Sequence, residues 1–134
     1  MTRHMLTVFV VGAGLLLATA NVLAHHSQSG EFDVNKPIEF TGTVKAVEWT
    51  NPHGYIQVEV KDANGKTTVY RAEIMAPNQL YRNGWRRDTL KLGTVVNFKG
   101  SRARSPESIN VSGRLSLADG KPLFQGQAPA APSN

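Results

Sequence analysis

Cysteine is absent from the 134-residue chain. Its absence removes disulfides, thiolate metal sites, iron–sulfur clusters and cysteine nucleophiles together. Charge is sparse: Asp, Glu, Lys and Arg make up 19% of the residues, and the ten acidic ones are scattered singly. A carboxylate pair for acid–base work would therefore have to be assembled by the fold. G-x-S-x-G, P-loop, G-x-G-x-x-G and H-E-x-x-H signatures are all missing, and nothing local supports a Ser/His/Asp triad. No catalytic residue is assigned, and a non-enzymatic role is expected. Internal repeats are also lacking. At 40% hydrophobic residues, the composition still argues against wholesale disorder.

Long hydrophobic runs are absent except at the start. Behind Arg3 and His4, the stretch Leu6–Ala20 is apolar but for Thr7, Gly12, Gly14 and Thr19. It is about 15 residues long, short of the roughly 20 that span hydrocarbon. Val22-Leu23-Ala24 then places small residues at the −3 and −1 positions of a cleavage site. Residues 1–24 thus read as a signal peptide cut after Ala24. The expected location is the periplasm or the exterior, with no stable membrane span once the signal is gone. The formal charge of +5 would ordinarily raise the question of nucleic acid. Export argues against it, and the positive charge is spread along the chain. Arg86-Arg87 and Arg102/Arg104 are the local clusters. They read as a solvated loop surface or as a surface for an anionic ligand or partner.

After the signal, residues 25–37 read as a polar, extended N-terminal segment, with Phe32 as its apolar anchor. Residues 38–125 carry strand patterns. Ile38–Thr50 is one long strand in which Phe40, Gly42, Val44 and Ala46 share one parity and Val47 and Trp49 take the other, which predicts a bulge or bend beside Gly42. Asn51–Gly54 is a turn. Tyr55–Lys61 and Thr67–Ile74 form a hairpin about Asn64-Gly65. Pro77 and Gly84 bracket about two helical turns, with Leu80 and Trp85 as plugs. Thr94–Gly100 and Ile109–Leu117 complete the set, and Leu123-Phe124 reads as a short return. Val44, Ile56, Val58, Tyr70, Ile74, Val96, Phe98, Val111 and Leu115 should point inward. Residues 126–134 lack any pattern and read as a disordered tail. The order strand–strand–strand–helix–strand–strand predicts an all-β, OB-like five-stranded barrel with one short helix between strands 3 and 4. A small meander sandwich is the alternative.

Histidine is the residue with chemical promise. Cleavage after Ala24 leaves His25 first, with an α-amine (pKa about 7.7–8.0) and an imidazole (about 6.5) on one residue. Those two nitrogens with a second imidazole form a three-nitrogen site that suits Cu(II) among common divalent ions. His53, in the Asn51–Gly54 turn, is the natural second imidazole, and His26 is the alternative. Glu31 and Asp33 could supply an axial oxygen. Trp49 and Tyr55 flank the turn and read as a surrounding shell or as core. The plain alternatives are a flexible His25-His26 start and a His53 bonded within its own turn.

The segments His25-His26-Ser27, Glu31-Phe32-Asp33, Gly42-Thr43-Val44, Glu48-Trp49, Asn51-Pro52-His53, Glu73, Leu80, Gly84-Trp85 and Leu90–Gly93 together resemble the domain-of-unknown-function family 6152. The most specific parts are the HHS start and the E-W-x-N-P-H turn, and the resemblance runs over roughly residues 25–124. It implies a bacterial periplasmic protein built on a small β-barrel, and it carries no activity with it. Three readings remain: an exported copper carriage or tolerance protein, a metal-free module for a glycan, peptide or protein partner, and a copper-dependent oxidative enzyme. The last ranks lowest, because so small a barrel offers little surface to a large substrate.

Overall fold

A computed structural model describes residues 30–129. Residues 1–29, which include the segment read as a signal peptide, His25 and His26, and residues 130–134 lie outside the described part. The elements run β1 (Phe32–Glu48), β2 (Gly54–Lys61), β3 (Thr67–Ile74), α1 (Pro77–Arg82), β4 (Val95–Ala103), β5 (Asn110–Leu117) and β6 (Pro122–Leu123). Their order in the sheet is β3-β2-β1-β4-β5-β6. A parallel pairing of β3 with β5, Ala72 opposite Val111, closes β1-β2-β3-β5-β4 into a ring. The domain is all-β with one short helix between β3 and β4, as the sequence predicts.

One strand serves both halves of the ring. The stretch of β1 from Phe32 to Thr43 pairs with β4, and Thr43 also begins the β2 ladder, which runs on to Glu48. Gly42 sits where this is tightest, since a Cβ there would stand 2.5 Å from the Glu59 carbonyl oxygen and 2.7 Å from Val58. The predicted bulge is real and falls between Val44 and Ala46, leaving Lys45 as the extra residue. This slip moves the inward parity from Val44 to Val47.

Two segment boundaries differ from the sequence reading. The strand begins at Phe32 rather than Ile38, because Phe32 is buried and pairs with Ala103 across a register shift that spans the polar residues before Pro37. Phe32 is thus the anchor expected of it. The tail is also pinned at its start: Ala128 donates its N–H to Asn83 (2.8 Å), and the Trp85 indole donates to the Gly126 carbonyl (3.0 Å).

The core holds Val44, Ile56, Val58, Ile74, Val96, Phe98, Val111 and Leu115, all from the predicted set. Tyr70 is half-buried instead, stacked on Phe40 at 4.7 Å with its hydroxyl facing Arg102. Ile109 is exposed although its parity matches Val111, because it precedes β5. Helix α1 is too short to persist alone. It is held by Leu80 and Pro77 beneath it and by a Schellman end, in which Gly84 (φ +84°) donates to Tyr81 and Trp85 donates to Leu80. Trp85 is 1% exposed and packs on Phe124. Burying a side chain of this size stabilises by about 1.5–3 kcal/mol.

Candidate functional site

His53 is the last residue before β2, in a turn whose Asn51–Pro52 bond is cis. The turn is tied by the Thr50 hydroxyl, which donates to the His53 carbonyl at 2.9 Å. Beside it, Gly54 pairs with Ile74 and Tyr55 with Glu73, so the end of β3 lies against the start of β2. Glu73 therefore meets the imidazole: His53 Nδ1 contacts the Glu73 carboxylate. The Glu73 side chain is 8% exposed and that of His53 32%. His53 Nε2 makes no hydrogen bond among the described residues.

A second polar cluster borders the first on the same outward face. Arg71, one step along β3 from Glu73 on that face, donates through Nη2 to Glu48 at 2.6 Å and through Nε at 3.0 Å. Gln57 donates to the same carboxylate at 2.8 Å. The Arg71 hydrogen bonds hold the Glu48 carboxyl below its ordinary pKa, and Glu48 in turn raises Arg71 above the usual guanidinium value. The Arg71 guanidinium lies over the Tyr55 ring, 3.5 Å from its centroid. Tyr55 is thus committed to Arg71, and Trp49 is half-buried against the core.

Of the other candidate oxygens, Glu31 is exposed at the edge of the described part. Asp33 follows Phe32 at the start of β1, accepts the Asn35 N–H at 3.0 Å and faces Arg104 at 3.9 Å. By the ladder, that start lies three strands round the ring from Glu73. The carboxylate beside His53 is Glu73, which the sequence reading did not single out as a site residue. Its signal was the outward parity of β3, visible only once the β2–β3 register is known. No group of three or more His, Asp or Glu side chains suited to a metal stands among the described residues.

The four arginines of the two local clusters have different surroundings. Arg86 donates to the Tyr81 and Trp85 carbonyls and lies over the Tyr81 ring. Arg102 reaches the Tyr70 hydroxyl at 3.3 Å, and Arg104 faces Asp33. Arg87 points into a groove with Lys45 and Lys91. Among the described residues, no helix is long and apolar enough to cross a membrane.

The chain belongs to a family of unknown function, DUF6152, whose sequence model matches residues 13–112. No curated protein and no solved structure matches it.

Proposed function

We propose that this member of a family without an assigned activity is an exported copper-binding protein, acting in carriage or tolerance outside the cytoplasm. The ion is held by the amine and imidazole of His25, freed by cleavage after Ala24, and by His53, with His26 as the alternative to His53. The observation that carries the reading is the contact between His53 Nδ1 and the sheltered Glu73 carboxylate. Histidines that ligate metals almost always give their second ring nitrogen to a carboxylate or carbonyl, which fixes the ring and strengthens it as a donor. His53 has this arrangement and keeps Nε2 without a competing bond.

Chain length is compatible with the reading. From His25 to Phe32 the contour is at most about 25 Å. Three strand spacings, the sideways offset of Phe32 from Glu73, come to about 15 Å. Donors of this kind favour Cu(II) over the other common divalent ions. Glu73 holds the ring, and the metal when bound supplies a Lewis-acidic or redox centre.

The test is a titration of mature protein, beginning at His25, with Cu(II), followed by absorbance and EPR. One ion per chain with nitrogen hyperfine structure is expected. A protein acetylated at the His25 amine has no ligating α-amine and should lose most of the affinity. Equal affinity in the acetylated protein would refute the site.

A further inference from the structure

The bulge in β1 and the loop that follows α1 form an open groove of about 400 Å³, within the size range of ligand sites. Its floor is apolar, from Val47 and the buried Leu90. Its rim is basic. Lys45, turned outward as the extra residue of the bulge, stands on one wall, and Arg87 and Lys91 stand on the other. Leu92 adds an apolar side chain that is 65% exposed. The Arg87 and Lys91 side chains make no hydrogen bond or ion pair among the described residues, while Lys45 Nζ lies 3.5 Å from Glu59. Asp88 is the single carboxylate lining the groove.

The groove wall is built in advance. Gly93 donates to the Val44 carbonyl at 2.8 Å and Val44 to the Thr94 carbonyl at 2.9 Å. The Thr94 hydroxyl closes on the Lys91 carbonyl at 2.7 Å, and the Arg86 N–H closes on the Thr89 hydroxyl at 2.9 Å. A ligand would meet a shaped surface and would not have to order the loop.

We propose that this groove docks an acidic peptide segment of a partner protein, an extended chain with an apolar side chain set between carboxylates. Charge complementarity selects the sign, with three cations against one carboxylate. The apolar floor speaks against a bare inorganic anion, which would want converging donors. Three cations fall short of the four to eight typical of anionic-lipid sites. The open shape gives an acyl chain no enclosure. The inference is independent of the metal reading, since none of its residues belongs to that site.

The experiment follows amide resonances of the full mature chain on titration with a capped hexapeptide of alternating aspartate and leucine. Expected shifts are confined to residues 45–47 and 87–92. Binding should weaken several-fold when salt rises toward 0.3 M, because rim charges are screened. Arg87→Glu with Lys91→Glu should reduce affinity at least tenfold, and Leu92→Ser several-fold, with the melting temperature unchanged. If the double reversal perturbs folding, Arg87→Gln with Lys91→Gln gives the same comparison at lower charge. Silence at millimolar peptide, an equal response to the peptide with lysine for aspartate, or undiminished binding in the variants overturns the proposal. So does tighter binding to phosphatidylglycerol vesicles or to inorganic phosphate, which would reassign the groove to lipid or to a free ion.

Discussion

His53 Nδ1 is held by the carboxylate of Glu73, a residue twenty positions later in the chain that the β2–β3 ladder brings back to the turn. If that carboxylate tunes a ligating imidazole, Glu73→Gln should lower Cu(II) affinity by about 10–100-fold while leaving one binding site. His53→Ala should reduce it further. Competition against a chelator of known affinity measures both. A Glu73→Gln protein that binds as tightly as the parent would make the contact purely structural.

Copper binding should weaken as pH falls, because the His25 amine and both imidazoles must be free of protons to ligate. The amine by itself, with an ordinary pKa of about 7.7–8.0, is protonated by pH 5. Affinity measured between pH 8 and pH 5 should therefore fall steeply and continuously. In a protein acetylated at the His25 amine the slope should be shallower, because one proton fewer is displaced.

Stability should fall in acid through Glu48. Arg71 depresses its folded pKa, so between the folded and unfolded values the unfolded chain binds the proton more readily. The contribution is present in full above the unfolded glutamate value of about 4.3 and is lost as pH drops through the folded one. Arg71→Met should lower stability at pH 7 and flatten this acid limb, as read by urea unfolding at pH 7, 4 and 3.

Removing residues 126–134 should lower stability by about 1–2 kcal/mol. Two hydrogen bonds end there, from Trp85 to Gly126 and from Ala128 to Asn83, and each is worth about 1 kcal/mol. Thermal unfolding of the truncated protein checks this, and an unchanged midpoint would return the whole segment to the status of a loose tail.

Gly42→Val should destabilise the domain by about 1–3 kcal/mol or more, as overpacking does, because its Cβ would collide with the backbone of Glu59. Urea unfolding at neutral pH measures it. The neighbouring Thr43→Val, outside that contact, serves as the control.

Local pattern alone determined the order of elements along the chain, the helix and most of the core. Period-two alternation places Val58 and Phe98 inside whatever their partners are, and Pro77 and Gly84 bracket α1 through their own backbone preferences. The same alternation announces the bulge, since a parity switch needs an extra residue somewhere near it. What tertiary structure decided depends on register, which no single strand encodes. It sets Glu73 against His53, closes the ring through Ala72 and Val111, and starts β1 at Phe32 because Ala103 is there to receive it. It occupies Arg86, Arg102 and Arg104 with partners far along the chain or on neighbouring turns, and leaves Arg87 to join Lys45, more than forty residues away in sequence. Charge clusters in sequence are neighbours along a backbone, whereas a binding surface is made of neighbours across strands and loops, and that separation is why the chain's own order names histidine but not its carboxylate.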